Sequence, residues 1–272
     1  MRIPVFVPFL AMSCIAFAQP PSVFDGGVLN GASFVKGQAV TVGSLVSIFG
    51  SNLASGLAQA DSIPLSTNLG GVTVKFVNGS TTTNAPLLFV ASGQINAQVP
   101  WNLVPGGATQ NVNVVVTTNG TDSAPSQFTV GPFSPGIFAT GPPDFRAIAQ
   151  NVDGTLAQPA GSIPGLTTHS VKIGDAIIIY ATGLGQLNPN DTPPADGGIP
   201  QAGLVHTLTT PTVLVGGISA QVLFSGLQPQ FVGVNQVNII IPATAPTGDK
   251  VPLQIQVGGI TSPDTVTIGV TQ

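Results

Sequence analysis

The feature that most constrains the fold is a string that the chain contains twice. Residues 89–100 read FVASGQINAQVP, and residues 231–242 read FVGVNQVNIIIP. Upstream, GSLVSIFGSNL at 43–53 matches GDAIIIYATGL at 174–184. The second copy is longer between these blocks, and its extra residues fall in the polar loop 185–203. We therefore predict that the chain arose by internal duplication of one unit of about 100 residues.

The residues between the repeats predict strands joined by turns. Runs of Val, Ile, Thr and Phe alternate with clusters of Gly, Pro and Asn, as strands alternate with turns. Only 6% of residues are charged, and all the acidic residues are Asp, so the chain lacks the Glu, Lys and Arg that helices favour on their solvent faces. We predict strands near 41–49, 72–77, 86–91, 94–99, 110–118, 126–130, 171–180, 212–215, 219–224, 230–233, 235–241, 251–257 and 264–270.

This number of short strands is typical of an immunoglobulin-like β-sandwich. The predicted fold class is all-β, with two tandem immunoglobulin-like sandwich domains. In QINAQVP the apolar and polar residues alternate, so the Gln and Asn side chains share one face of a strand. Because an amide side chain both donates and accepts, we expect these side chains to tie loop backbone to the sheet.

The chain divides into four predicted segments. Residues 1–18 form a signal peptide, residues 19–132 the first sandwich, and residues 133–145 a linker rich in Pro and Gly. Residues 146–272 form the second sandwich, which begins with a hairpin that turns at Asp153-Gly154.

The N-terminal segment has the pattern of an export signal. Arg2 precedes an uncharged apolar run that ends in the A-x-A sequence of Ala16 to Ala18, so we predict cleavage before Gln19. The run is short for a membrane span of about 20 apolar residues, although a membrane anchor is an alternative. Lipidation of Cys14, the single cysteine, is another alternative. No later run reaches membrane-spanning length, so we predict an exported protein with no membrane span after cleavage.

Several blocks of the chain resemble IPT/TIG-type immunoglobulin-like domains. They follow the pattern G-x-x-[VI]-x-I-[FY]-x-x-x-L, at 43–53 and 174–184, and the pattern QIN-x-QVP, at 94–100. Longer blocks carry a closer resemblance: GSLVSIFGSNLA at 43–54, APLLFVASGQINAQVPW at 85–101, YATGLGQ at 180–186 and the second repeat string. More closely, the chain from residue 26 onward resembles an uncharacterised domain family at the C-termini of secreted acidobacterial (Solibacter-type) proteins. The resemblance implies an immunoglobulin-like fold and an extracellular location, and it implies no activity.

The sequence shows no pattern that predicts catalysis. The net charge is −4 and no basic patch occurs, so nucleic acid is not an expected partner. The nucleophile motif G-x-S-x-G and the phosphate-binding motif GxxxxGK[ST] do not occur. We therefore predict a protein that is not an enzyme and has no cofactor or metal. It would be a secreted or cell-surface module with a binding, adhesion or structural role, and its partner would be a protein or an extracellular polymer.

Four residues are candidate ligand contacts. Trp101 and Tyr180 are the single Trp and the single Tyr of the chain, and a carbohydrate-binding module would use such rings as platforms. Asp191 and Asp196 lie in the long polar loop, where paired carboxylates or a calcium site are alternatives to a solvated connection.

A hydrolase with an unrecognised site is the remaining alternative. It would need one of the two histidines, His169 or His206, to lie between a Ser and an Asp.

Overall fold

The computed structural model describes residues 19–272, and the predicted signal peptide with Cys14 lies outside the described residues. The described chain is built from strands, with a single 3₁₀ turn at Pro105–Gly107. The first ten strands are β1 (Ser22–Asn30), β2 (Leu45–Ser51), β3 (Ala58–Gln59), β4 (Val72–Asn78), β5 (Thr81–Asn84), β6 (Leu87–Ala91), β7 (Gln94–Gln98), β8 (Gln110–Thr118), β9 (Thr121–Asp122) and β10 (Ser126–Val130).

The other twelve strands follow the first core along the chain. They are β11 (Gly136–Ile137), β12 (Ala149–Asn151), β13 (Leu156–Ala157), β14 (Thr168–His169), β15 (Val171–Lys172), β16 (Ala176–Thr182), β17 (Thr212–Val215), β18 (Ile218–Leu227), β19 (Asn235–Ile240), β20 (Gly248–Val257), β21 (Ile260–Thr261) and β22 (Thr267–Thr271). Most neighbouring strands pair antiparallel, and β13–β14 and β15–β22 pair in parallel.

The first sandwich consists of two sheets that face each other. One sheet has the order β1-β2-β7-β6-β3 and the other the order β10-β8-β4-β5. Along β4, Val72, Val74 and Phe76 are buried, and the residues between them are partly exposed. This period of two is the pattern of a strand with one face on the core. On the same sheet, the ring of Phe128 in β10 packs against Phe76 with a centroid distance of 5.2 Å.

The second sandwich differs because one long strand joins its two layers. β18 pairs with β17 through its first residues and with β19 through its last ones. The sheet therefore runs without a break from β14-β13-β12-β16-β19 through β18 to β17-β20-β22-β15. In the first sandwich Pro86 separates β5 from β6, and a proline cannot donate to a strand ladder. β18 contains no proline, so it continues across both layers.

The all-β class with two sandwiches is confirmed, and several strand limits agree with the sequence prediction. The predicted strands 110–118, 126–130 and 212–215 have the observed bounds of β8, β10 and β17. The predicted hairpin after residue 146 is also confirmed, because Gln150 of β12 pairs with Leu156 of β13.

The predicted strand at 230–233 is wrong. These residues form a turn, and the backbone N–H groups of Gln230 and Phe231 donate to the side-chain Oε1 of Gln228. This local side-chain capping competes with strand pairing. As a result Phe231 is 54% exposed, although Phe89 at the matching repeat position lies within β6.

Sequence patterning also missed β1. The prediction begins its strands at residue 41, whereas Asp25, Gly26 and Gly27 lie in the part of β1 where its register against β2 shifts, between Val23 and Val28. A bulge of this kind lets a strand absorb turn-forming residues.

Two hydrophobic cores follow each other along the chain. The first draws its buried side chains from Val28 to Val130, and the second from Ile137 to Val270. Within the predicted linker, β11 pairs with β16, and Ile137 is buried in the second core. This part of the predicted linker therefore packs as part of the second sandwich, and the predicted domain limits stay a prediction.

Candidate binding site between the two sandwiches

A cleft of about 910 Å³ lies between the two sandwiches. One wall comes from the first sandwich and the other from the second. The residues that line it are Leu45, Gln59, Ala60, Asp61, Ser62, Ile63, Leu65, Leu88, Phe138, Ile148, Gln150, Leu156, Tyr180, Gln230, Phe231, Val232 and Val234. This volume is within the range of about 300–1,000 Å³ that small-ligand sites occupy.

The outer face of the second sandwich forms one wall of the cleft. Along β12 and β16, Ala149 and Ile179 are buried in the core. Their sequence neighbours Ile148, Gln150 and Tyr180 point to the opposite face, because side chains alternate along a strand. β12 and β16 pair at this point, because the backbone N–H of Tyr180 donates to the carbonyl of Ile148 over 3.2 Å.

Tyr180 is the predicted contact residue that the structure places in this cleft. Its hydroxyl donates to Oε1 of Gln150 over 3.0 Å. The Nε2 of Gln150 in turn donates to the carbonyl of Gly154 over 2.9 Å. Burial raises the pKa of the Tyr180 phenol, because a charged phenolate would be poorly solvated there. Tyr180 is therefore a neutral aromatic surface with an orientation set by hydrogen bonds.

Two large apolar side chains stand at the edges of the cleft. Ile63 of the first sandwich is 46% exposed and Phe231 of the second is 54% exposed. Sequence reasoning missed both, because Ile63 follows a strand of two residues and Phe231 was assigned to a strand. Clustered exposed apolar residues of this kind mark an interaction site more often than isolated ones do.

Buried hydrogen bonds hold the two walls together. Oγ1 of Thr182 accepts from the N–H of Leu45 over 3.0 Å and donates to the carbonyl of Gly233 over 2.7 Å. Nδ2 of Asn30 donates to the carbonyl of Ser134 over 2.7 Å. Because these groups are buried, breaking the contact leaves backbone polar groups without partners. The cleft is therefore formed by surfaces that are already fixed.

The repeated Gln and Asn residues act in two ways. Nε2 of Gln94 donates to Oδ1 of Asn96 over 2.8 Å, and Gln236 makes the same bond to Asn238 over 3.0 Å. The two copies of the repeat thus share a hydrogen bond between side chains on one strand face. The predicted tie from strand to loop backbone is confirmed for Gln98, whose Oε1 accepts from the loop residue Gly197.

Trp101 lines a second, smaller cavity of about 290 Å³, together with Val42, Gln186, Leu187, Pro189, Pro193 and Leu208. The ring packs against the first core and is partly buried. Within the described part of the chain, its Nε1 is buried and has no hydrogen-bond partner. Trp101 therefore does not form an open aromatic platform in the cleft.

Asp191 and Asp196 serve different contacts. Oδ2 of Asp191 accepts from the backbone N–H of His206 over 2.7 Å and lies 2.9 Å from its Nδ1. These bonds lower the pKa of Asp191, the backbone bond most strongly. Asp196 accepts from the backbone N–H of Trp101 over 2.8 Å. Each carboxylate thus holds the long loop to its surroundings, and neither lines the cleft.

No metal-binding cluster is present among residues 19–272, where no three His, Cys, Asp or Glu side chains are grouped to hold an ion.

The two histidines pair with aspartates. Nε2 of His169 lies 2.9 Å from Oδ2 of Asp153, and Nδ1 of His206 contacts Asp191. Neither ring forms a hydrogen bond with a serine hydroxyl in the described residues. The Ser-His-Asp arrangement that the hydrolase alternative requires is not formed by this part of the chain.

The sequence model of the IPT/TIG domain matches residues 33–130. The chain contains an IPT/TIG domain. This segment covers most of the first sandwich, and the predicted resemblance to IPT/TIG domains is confirmed there. IPT/TIG domains are generally non-enzymatic. The more specific resemblance to the acidobacterial family stays a prediction.

Two solved structures illustrate how distant the structural matches are. The plexin A4 extracellular region aligns with 93% of this chain at 13% identity and a TM-score of 0.24, and this chain spans 22% of its length. The C-terminal domain of the AgI/II polypeptide BspA of Streptococcus agalactiae aligns with 93% of this chain at 9% identity and a TM-score of 0.20, over 100% of its own length. Alignments with such TM-scores do not establish a shared fold.

No curated protein sequence matches this chain. In residues 19–272, no helix has the length and apolar character needed to cross a membrane.

Proposed function

We propose that this protein is an exported, non-catalytic binding module whose binding surface is the cleft between its two sandwiches. The observation that carries the proposal is the exposure of Phe231 and Ile63 at the edges of an apolar cleft. A side chain such as Phe gains about 1.5–3 kcal/mol when it is moved from water into an apolar contact. A ligand that covers both edges would therefore gain free energy from surface that the protein leaves in water.

The fixed position of the two walls supports this proposal. Thr182, Asn30 and Gln98 join the sandwiches through buried hydrogen bonds. A preformed site loses less conformational entropy on binding than a site that must first be assembled.

Export is supported by the pattern of Arg2 and the uncharged apolar run before Gln19. A protein segment or an extracellular polymer would be the partner in that location. N-terminal sequencing of the protein recovered from the periplasm or medium of an expressing bacterium tests this part. Gln19 as the first residue is expected, and a retained Met1 in the cytoplasm would refute export.

Binding at the cleft can be tested with the uncharged dye Nile red and the chain 19–272. We expect the dye to bind with increased fluorescence, and Phe231→Ser to weaken binding several-fold, because about 1 kcal/mol or more of apolar contact is lost. The matched control is Leu223→Ser, since Leu223 is 52% exposed on β18 and does not line the cleft. Equal dye binding by both variants would refute the cleft as the binding surface.

The carbohydrate-binding alternative has less support. Trp101 packs on the first core, and its Nε1 is buried within the described residues, so it does not offer a flat exposed ring to a sugar. Titration of the Trp101 fluorescence with soluble polysaccharides tests this alternative directly. A shift in emission with one glycan would favour it over the cleft.

A further inference from the structure

We infer that the cleft takes an extended peptide segment with apolar side chains and a basic residue at one end. This inference rests on the proposed function, because it names the class of ligand for the same surface. Three features of the described residues carry it: the charge of the lining, the free edge of a sheet, and the amide side chains along the walls.

The charge of the cleft selects against anionic ligands. Of the described residues that line it, Asp61 is the single charged one, and none is Lys, Arg or His. Asp61 is exposed, and its carboxylate forms no hydrogen bond or ion pair with another described residue. An acidic ligand group would meet this carboxylate with no cation nearby, and a basic group would be attracted to it.

The first sandwich presents a free backbone edge at the cleft. β3 is the last strand of its sheet and pairs with β6 on one side. The N–H of Ala60 donates to the carbonyl of Leu88 over 3.0 Å, so Ala60 faces β6. Because residues in an antiparallel ladder alternate, the N–H and C=O of Gln59 point away from β6. An extended peptide can pair with such groups by adding a strand.

The side chains of the cleft suit a peptide more than a purely apolar molecule. Gln59, Ser62 and Gln230 line it with amide and hydroxyl groups, which can donate to and accept from a peptide backbone. Ile148, Tyr180 and Phe231 provide the apolar surface for alternate side chains of the same segment. A cleft of about 910 Å³ holds a few residues and not the face of a folded domain.

The test compares two fluorescently labelled peptides with blocked termini. Both have an alternating Val and Thr sequence, and one ends in Lys while the other ends in Glu. Anisotropy is measured with the chain 19–272. We expect the Lys peptide to bind up to about fivefold more tightly, the size of an exposed ion pair. Asp61→Asn should remove this difference, and Asp264→Asn, an exposed carboxylate outside the cleft, should leave it unchanged. Phe231→Ser should weaken both peptides.

The outcomes separate this inference from the proposed function. If Nile red binding depends on Phe231 but neither peptide binds, the cleft is a binding surface and the peptide class is refuted. If both peptides bind equally, or Asp264→Asn acts as strongly as Asp61→Asn, the role of Asp61 is refuted. If neither the dye nor the peptides depend on Phe231, both the inference and the proposed function fail.

Discussion

The side chain of Gln98, in the last position of β7, accepts a hydrogen bond from the backbone N–H of Gly197 over 2.6 Å. Its Nε2 donates to the carbonyl of Gly43 over 3.3 Å. Gln98 is completely buried, so one amide side chain joins the first sandwich to the long loop that follows β16. This contact helps to fix the walls of the cleft before any ligand arrives.

Replacing Gln98 with Met should lower the free energy of unfolding by about 1–3 kcal/mol, because the N–H of Gly197 and the carbonyl of Gly43 lose a buried partner. Urea unfolding of the chain 19–272 measures this change. Gln127→Met is the control, since Gln127 is exposed on β10, and it should change stability by about 0.5 kcal/mol or less. Equal stabilities of the two variants would show that the Gln98 contact contributes nothing.

Thr182 offers a second test of the contact between the sandwiches. Thr182→Val keeps the shape of the side chain and removes the hydroxyl that bonds Leu45 and Gly233. We expect a loss of about 1–3 kcal/mol in the free energy of unfolding. Thr182→Ser keeps the hydroxyl and should lose less stability. A valine variant that is at least as stable as the serine variant would contradict this prediction.

Gly43, which packs against Trp101, and Gly37, which does not, form a matched pair of substitution sites. Both have a positive φ, +73° and +75°, so Ala strains the backbone at either position by about 1 kcal/mol or more. A Cβ at Gly43 would lie 2.0 Å from the Trp101 ring, whereas a Cβ at Gly37 would meet no atom within 4 Å. Only Gly43→Ala should therefore change the emission of Trp101, the single Trp of the chain. A similar emission change in both variants would refute the packing of Trp101 on Gly43.

The His169–Asp153 pair should make stability depend on pH. A bond to the carbonyl of Ser170 and a second bond to Asp153 raise the pKa of His169 above 6.5. Hydrogen bonds from Thr155, and to a smaller extent the one from His169, lower the pKa of Asp153 to about 2. The contribution of His169 to stability is complete below pH 6.5 and is lost as the pH rises through its raised pKa. The contribution of Asp153 to stability is present above its ordinary pKa of 3.8 and is lost as the pH falls towards about 2.

Proton NMR titration measures the pKa of His169, and a His206→Gln variant assigns its signal. We expect Asp153→Asn to lower the pKa of His169 without returning it fully to 6.5, because the Ser170 carbonyl remains. A His169 pKa at or below 6.5 in the unsubstituted protein would contradict the pairing.

The agreement between sequence and structure is best where the alternation of apolar residues has no interruption. β8 and β10 have the predicted bounds because alternate Val and Phe side chains reach the core along each strand. The predictions failed where local hydrogen bonds compete with strand pairing. The turn at Phe231, held by Gln228, is one case. The predictions also missed β1, whose register against β2 shifts at its two glycines.

The candidate site was likewise predicted only in part from the sequence. Tyr180 was predicted as a contact residue and lies in the cleft, but Trp101, Asp191 and Asp196 lie outside it. The residues that form the edges of the cleft come from a turn and from a segment after a two-residue strand. Neither place has a periodic pattern that marks it as a binding surface.

The amino-acid sequence by itself determined the all-β class and most strand positions, because the alternation of apolar residues is a local property that burial of one strand face requires. The position of the cleft depended on the tertiary structure. It exists because Gln98, Thr182 and Asn30 each meet backbone groups about 100–140 residues away along the chain. Such contacts form only when both sandwiches are folded, so no pattern within either half of the sequence predicts them.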